Sequence, residues 1–195
     1  MTDEFQRYWK ENFPCPPVSY LFKWYMADRW LRIHSLPESK RYPENESEAA
    51  EILRRQKIVL DELIGGTDDC FFVGVAFGEY PSREYKETVP DLKRFLTTRT
   101  LPVFYREIEG EEDCEPDDAF FVEFGKGTVD RDRLITVLLA IAEETLSGFF
   151  ILNPKSNRIF APYDGGVDLI LENSDSRDEF EKKYTEWLPV DTNGL

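Results

Sequence analysis

Hydrophobic residues recur along this chain with two different spacings, which predict two kinds of element. From about Asn45 to Ile64 they recur every three or four positions and are followed by Gly65-Gly66, which predicts an amphipathic helix. Asn45 with Glu48 three residues later resembles a capping box at its start. By similar patterns we predict three further helices, over residues 3–12, 128–146 and 174–187.

Short aromatic and β-branched runs predict the strands. The segment Cys70–Phe77 is apolar almost throughout, which is typical of a strand buried on both faces. Residues 30–35 alternate, so Trp30, Arg32 and His34 should share one face of a strand. Residues 18–28 are apolar without a clear period and fit either a strand or a helix. The remaining predicted strands cover residues 103–108, 119–124, 149–153, 158–161 and 167–171, with a hairpin turn at 154–157.

The order of these elements predicts the fold class. Strands occur in sequence-adjacent pairs without regular strand–helix alternation, which favours an α+β domain with a mostly antiparallel sheet flanked by three to four helices. A chain of 195 residues is long enough for one core, and no composition break divides it. We therefore expect one globular domain over residues 1–195.

Composition narrows the partner classes. The chain has 39 Asp and Glu against 24 Lys and Arg, a formal charge of −15, yet 41% of its residues are hydrophobic, which indicates a folded protein. An acidic surface repels nucleic-acid phosphates and attracts basic proteins. We expect no nucleic-acid partner and regard a basic protein as a suitable one.

Neither a membrane segment nor a metal or cofactor site is indicated. No apolar run approaches the roughly 18 residues that span a bilayer, and the N-terminus has no apolar core of a signal peptide, so a cytoplasmic protein is expected. The three cysteines are widely spaced and form no C-x-x-C pattern, which argues against a disulfide framework and a zinc site. We expect neither a metal nor a cofactor.

Residues 29–43, the basic segment, carry four Lys or Arg, the only histidine and one acid. Such a segment could bind a phosphate or carboxylate, because guanidinium groups hold these anions with two hydrogen bonds. The candidate ligands are Arg32, His34, Lys40 and Arg41. Alternatively, these side chains pair with the chain's own acids and fix the Leu36-Pro37 turn against the next helix.

His34 is the only residue that could serve a histidine-dependent mechanism. Ser35 or Ser39 could complete a triad with it, but no G-x-S-x-G motif is present. No complete catalytic set accompanies His34, so the sequence favours a protein without enzymatic activity.

Residues 107–118 form an acidic segment in which eight of twelve side chains are acidic. Clustered carboxylates suit hard cations, but the D-x-[DN]-x-[DN]-G calcium loop is missing. A solvated loop is the simpler interpretation, and steering of a basic partner is the functional alternative.

A last motif, Y-D-G-G-V-D, contains Tyr163, Asp164, Gly166 and Asp168. Its glycines predict a sharp turn between strands, with Asp164 accepting backbone N–H bonds, and no basic residue lies nearby in the sequence. The segment FAPYDGGVDLIL, followed by a helix that ends in KKYTEWL, resembles the end of the bacterial family called domain of unknown function 3885. In that family the motif reads Y-D-D-R-G-x-D, and its arginine is absent here. The resemblance implies a bacterial protein and supplies no catalytic residues.

Two hypotheses follow. The first is a non-enzymatic binding protein that presents an acidic face to a basic protein partner, for example an immunity or antitoxin factor that neutralises a toxin. The second is a protein or enzyme that binds a small phosphorylated or carboxylated ligand at the basic segment.

Overall fold

The computed structural model describes residues 2–65, 69–79, 99–105 and 118–189. This part of the chain forms five α-helices, of which α2 is a single turn. Their bounds are α1 Thr2–Asn12, α2 Phe22–Tyr25, α3 Glu46–Ile64, α4 Arg131–Ala142 and α5 Ser174–Lys183. Short 3-10 helices lie at Ser19–Leu21, Pro37–Ser39 and Thr185–Trp187.

The described strands form one seven-stranded sheet in the order β1-β7-β6-β5-β2-β4-β3. Their bounds are β1 Trp30–His34, β2 Cys70–Glu79, β3 Arg99–Tyr105, β4 Asp118–Gly127, β5 Phe149–Asn153, β6 Arg158–Tyr163 and β7 Gly166–Ile170. Every neighbouring pair is antiparallel. The chain is therefore an α+β protein with an antiparallel sheet, as the sequence predicts.

The sheet lies between two hydrophobic layers because its strands are apolar on both faces. On the face that we call the α1 face, Phe5 and Trp9 of α1 pack with Phe124 and Phe150 of the sheet. Helices α3, α4 and α5 cover the opposite face, the α3 face. The rings of Phe5 and Phe124 stack with their centroids 4.8 Å apart, a favourable aromatic separation.

Polar side chains define where the long helices begin. The side chains of Asn45, Asp130 and Asn173 accept hydrogen bonds from backbone N–H groups three residues later, which satisfies donors that the first turn leaves free. Glu48 accepts a hydrogen bond from the backbone N–H of Glu44, so it closes the start of α3 one residue earlier than a capping box would.

The predicted elements agree with the structure apart from their ends. Residues 18–28, which fitted either a strand or a helix, form a 3-10 turn and the short helix α2. Helix α4 is shorter than predicted, since Glu144 has a left-handed backbone with φ 54° that interrupts the helical path. The acidic segment up to residue 117, a helical turn expected at 91–96, and Cys114 lie outside the described residues. One domain over residues 1–195 stays a prediction.

Candidate functional site

The sheet places the basic segment beside the Y-D-G-G-V-D motif. Strand β1 is an edge strand that pairs with β7, and the register sets Arg32 opposite Asp168 and His34 opposite Gly166. The two strands approach so closely at Gly166 that a Cβ there would overlap the carbonyl oxygen of Ile33. This register brings together two segments that are more than 120 residues apart in the sequence.

Arg32 forms a buried ion pair with Asp168. Its Nε lies 2.7 Å from Oδ1 and its Nη2 lies 2.9 Å from Oδ2, and the two side chains are only 14% and 7% exposed. The guanidinium carbon is 4.6 Å from the centroid of the Tyr163 ring. Burial alone would lower the pKa of Arg32, but hydrogen bonding to Asp168 raises it above its usual value. The pair is a fixed part of the α1 face.

His34 is buried next to this pair. His34 is 5% exposed, and neither of its ring nitrogens has a hydrogen-bond partner among the described residues. Burial, together with the charge of Arg32, lowers the pKa of His34, so the ring is neutral near pH 7. The hydroxyl of Ser35 instead accepts a hydrogen bond from Gln56 at 3.0 Å. The described geometry therefore contains no serine hydroxyl hydrogen-bonded to His34.

Lys40 joins the basic segment to the start of α3. Its Nζ lies 2.7 Å from Glu48 and 3.1 Å from Glu44. These ion pairs fix the connection between β1 and α3, which is the structural alternative considered for the basic segment.

Arg41 pairs with Asp164 at the surface. Its Nη2 is 2.9 Å from Oδ2 of Asp164, and the Arg41 side chain is 60% exposed whereas that of Asp164 is 13% exposed. Asp164, expected to bind backbone N–H groups in its turn, has a side-chain partner instead. Gly165 leaves room for this arrangement, because a Cβ there would lie 3.4 Å from Cγ of Arg41.

Arg41 and Asp164 line a surface cleft of about 270 Å³. Apolar atoms of Ile141, Leu146 and Pro162 form part of its wall. The other lining residues are Ser19, Glu144, Ser147, Gly148 and Tyr163. The lining residues thus come from the segments before and after β1, from the end of α4 with the α4–β5 connection, and from the end of β6 with the β6–β7 turn.

Two tyrosines border the carboxylates of this cleft. The hydroxyl of Tyr42 donates a 2.8 Å hydrogen bond to Glu144. This bond, together with desolvation and the nearby Asp164, raises the pKa of Tyr42 to about 12. The hydroxyl of Tyr163 is buried and has no hydrogen-bond partner among the described residues, and burial raises its pKa. Both hydroxyls therefore stay protonated at physiological pH.

Comparison with known families identifies a match over most of the chain. A family model described as "Domain of unknown function (DUF3885)" matches residues 18–191. The chain belongs to this family. The match extends far beyond the C-terminal segment that carries the resemblance and includes the basic segment, the cleft and the Y-D-G-G-V-D motif. No curated protein and no solved structure matches the chain.

Neither a cluster of metal ligands nor a membrane-spanning helix occurs among the described residues. No group of three or more His, Cys, Asp or Glu is placed to hold a metal ion there. Cys15 and Cys70 are both buried, and burial raises the pKa of the Cys15 thiol to about 12. None of the described helices is both long and apolar enough to span a bilayer.

The structure brings Arg32 and Arg41 to the two ends of one motif, while Lys40 lies against α3 and His34 is enclosed. Their role as anion ligands stays a prediction. Sequence reasoning assigned no partner to Asp168, although a charged residue inside an apolar strand is itself a signal, since a buried charge needs a partner. Tyr42 and Glu144 carried no such signal, because their contact joins exposed connections 102 residues apart.

Proposed function

We propose that this protein is a non-enzymatic binding protein that presents an acidic surface to a basic protein partner. The observation that carries this proposal is the internal pairing of the basic segment. Arg32, Lys40 and Arg41 each contact a carboxylate of the same chain. Three of the four Lys and Arg side chains of the basic segment are therefore neutralised from within, and the chain as a whole keeps its excess of acids over bases.

The charge distribution supports a basic partner. A formal charge of −15 creates a negative potential that accelerates association with basic proteins and repels acidic ones. Exposed acids occur on several described elements. Examples are Glu11, Asp28, Glu44, Asp132, Glu143 and Glu179.

Exposed aromatic residues support a protein partner over a small ion. Of the five large hydrophobic residues exposed in the described part of the chain, four are aromatic: Tyr20, Trp24, Tyr25 and Tyr42. Trp24 is 72% exposed. Tyrosine and tryptophan are enriched at the centres of protein interfaces because they bury a large area at a low entropic cost.

An immunity or antitoxin role is the specific form that we favour, in a bacterial cytoplasm. An inhibitor needs tight and fast association but no catalytic group, and opposite charge supplies both speed and selectivity. If the basic partner is a toxin, co-expression of this chain should restore growth of cells that produce the toxin.

Binding of a small anion is the second candidate function. It is favoured by Arg41, whose side chain is 60% exposed and lines the cleft. An anion would have to displace Asp164 from Arg41 and tolerate Glu144. This requirement places it second.

The test of the first proposal uses the full chain to capture proteins from a bacterial lysate, followed by purification of the captured protein and measurement of the dissociation constant. We expect a basic protein whose binding weakens strongly when salt is raised from about 50 mM to about 500 mM. A partner of acidic composition, or an affinity independent of salt, would contradict the proposal.

Two matched baits sharpen this test. One carries Glu11→Gln, Asp28→Asn and Glu179→Gln, which remove three exposed negative charges outside the cleft. The other carries Lys10→Gln, Lys57→Gln and Lys182→Gln, which remove three exposed positive charges. The first bait should bind the partner more weakly than the unaltered chain, and the second at least as strongly.

A further inference from the structure

The cleft contains more negative than positive charge. Glu144 and Asp164 line it together with one cationic residue, Arg41. The Arg41 guanidinium lies 2.9 Å from Asp164, and the hydrogen bond to Asp164 with the charges of Asp164 and Glu144 raises the pKa of Arg41. Arg41 thus partly compensates a site that would otherwise hold two uncompensated acids.

We propose that this cleft receives an arginine or lysine side chain of the basic partner, and that Arg41 occupies the site as an internal substitute until the partner arrives. This inference rests on the proposed function and assigns the contact point of the partner. The incoming cation would take over Asp164 and Glu144, and Arg41 would move into solvent.

Arg41 is suited to such an exchange. Its side chain is 60% exposed, so water solvates the guanidinium once it leaves Asp164. Asp164 is only 13% exposed and needs a cation, which the incoming side chain supplies. Arg32 is the contrasting case, because its guanidinium is held by two hydrogen bonds at 14% exposure and lies against the rings of Tyr163 and Trp30. Arg41, unlike Arg32, can therefore leave its carboxylate without becoming a buried and unpaired cation.

The chemistry of the cleft fits a long cationic side chain. Its apolar wall can pack against the methylene stem of arginine or lysine while the charged head reaches the carboxylates. The ring of Tyr42 lies 5.9 Å from the guanidinium carbon of Arg41, so an incoming cation at this position would also meet an aromatic face. An anion would meet the same two carboxylates with an unfavourable sign.

The surroundings of the cleft fit a protein surface rather than a free ion. Tyr20 and Tyr42 are 43% and 41% exposed, and each directly follows a residue that lines the cleft, Ser19 and Arg41. The ring of Tyr20 packs against Phe120 of β4 with centroids 6.0 Å apart, which holds it in place. Exposed aromatic rings beside a charged cleft are typical of the centre of an interface.

The test is a titration of the ¹⁵N-labelled full chain with Nα-acetyl-arginine amide, followed by NMR. We expect shifts concentrated at the backbone amides of Ser147, Gly148 and Gly165. Removing the internal substitute by Arg41→Ala should tighten binding about tenfold, which corresponds to roughly 1.4 kcal/mol. Asp164→Asn and Glu144→Gln should each weaken binding several-fold.

Controls separate this inference from its alternatives. Lys57→Ala, on the exposed face of α3 and outside the cleft, removes the same charge as Arg41→Ala and should leave binding unchanged. Nα-acetyl-glutamate amide tests the anion alternative. Glu144→Gln alters an exposed connection, so it remains informative if Asp164→Asn does not fold.

Shifts of the cleft amides with the glutamate compound but not with the arginine compound would overturn the inference, as would weaker binding by Arg41→Ala. Absence of cleft shifts with the arginine compound would also overturn it. The proposed function could survive any of these results, because capture of a basic partner and its salt dependence are measured independently. Failure of the capture experiment together with tight binding of the arginine compound would instead indicate a receptor for a small cation.

Discussion

Two arginine–aspartate pairs link the basic segment to the same motif, and their surroundings differ sharply. Arg32 and Asp168 face each other across β1 and β7 with side-chain exposures of 14% and 7%. Arg41 and Asp164 meet beyond the ends of these strands with exposures of 60% and 13%. The residue types, the shortest distances and the low exposure of the aspartates are alike, so the burial of the arginine and its second hydrogen bond distinguish the pairs.

The comparison shows why a shared residue type does not imply a shared role. A buried cation that loses its partner keeps its desolvation penalty, and this penalty makes the Arg32–Asp168 pair part of the fold. An exposed cation that loses its partner is solvated by water, so Arg41 can leave Asp164 when another cation replaces it. Substitutions at the two pairs should therefore differ in their effect on stability.

Asp168→Ala should cause the largest loss, because it leaves the Arg32 guanidinium buried without a carboxylate. We expect the free energy of unfolding to fall by about 3–5 kcal/mol, measured by urea denaturation. The double variant Arg32→Met with Asp168→Leu should recover much of this loss, since it removes the buried charge itself. A loss below about 1 kcal/mol for Asp168→Ala would show that the pair is solvated.

Gly166→Ala and Gly165→Ala compare two buried glycines, one against the backbone of the neighbouring strand and the other against side chains. A methyl group at Gly166 would overlap the backbone of Ile33 in the neighbouring strand, and we expect a loss of about 1–3 kcal/mol in the free energy of unfolding. A methyl group at Gly165 would meet only side-chain atoms of Tyr163 and Arg41, which can shift, so its loss should be smaller. Equal losses would contradict the register of β1 on β7.

The stability of the fold around the buried Arg32–Asp168 pair should depend on pH through His34. The folded state holds the pKa of His34 below its ordinary value of 6.5, so the unfolded state binds more protons when the pH falls below 6.5. The stabilising contribution is complete above pH 6.5 and decreases as the pH falls towards the folded-state pKa. Thermal unfolding of His34→Gln should depend less on pH than that of the unaltered chain between about pH 6.5 and pH 5.

A second pH range provides the control for His34. Hydrogen bonds from Arg54 and Arg158 lower the pKa values of Glu51 and Glu172, respectively, to about 2. Their contribution is present above the ordinary value of 4.5 and is lost as the pH falls below it. His34→Gln should therefore retain the loss of stability below pH 4.5. If it removed the dependence in this lower range, the assignment to His34 would be wrong.

Arg41→Ala should have the smallest effect on folding. Alanine removes an arginine that is 60% exposed but leaves Asp164, 13% exposed, without its cation, so we expect the free energy of unfolding to fall by about 1 kcal/mol. Chemical denaturation beside Asp168→Ala gives the direct comparison. A loss as large as that of Asp168→Ala would mean that Arg41 is structural, and it would remove the basis for its exchange with a partner's cation.

The regular elements were largely predictable because their signals are local. The apolar spacing and the Asn45 cap predict α3, and the turn at residues 154–157 predicts the β5–β6 hairpin. Helix α4 ended earlier than predicted, at Ala142, because the apolar pattern continues to Leu146 although Glu144 adopts a left-handed conformation. Backbone conformation at a single exposed residue leaves no trace in hydrophobic spacing.

The candidate site was only half predictable. The basic segment and the Y-D-G-G-V-D motif were both recognisable as unusual, but they were considered separately because about 120 residues lie between them. Their contact depends on β1 pairing with β7 at the edge of the sheet. A strand's own sequence does not specify its neighbour, because many apolar strands can satisfy the same backbone hydrogen bonds.

By itself, the sequence determined the helices, most strands, the α+β class and the acidic balance, since spacing, turn residues and charge act locally or add up over the chain. Tertiary structure alone decided which aspartate each arginine contacts and how deeply each pair is buried. That decision separates a pair that stabilises the fold from a pair at a surface cleft. The physical reason is that the cost of leaving a charge without its partner depends on exposure to water, which only the packed chain defines.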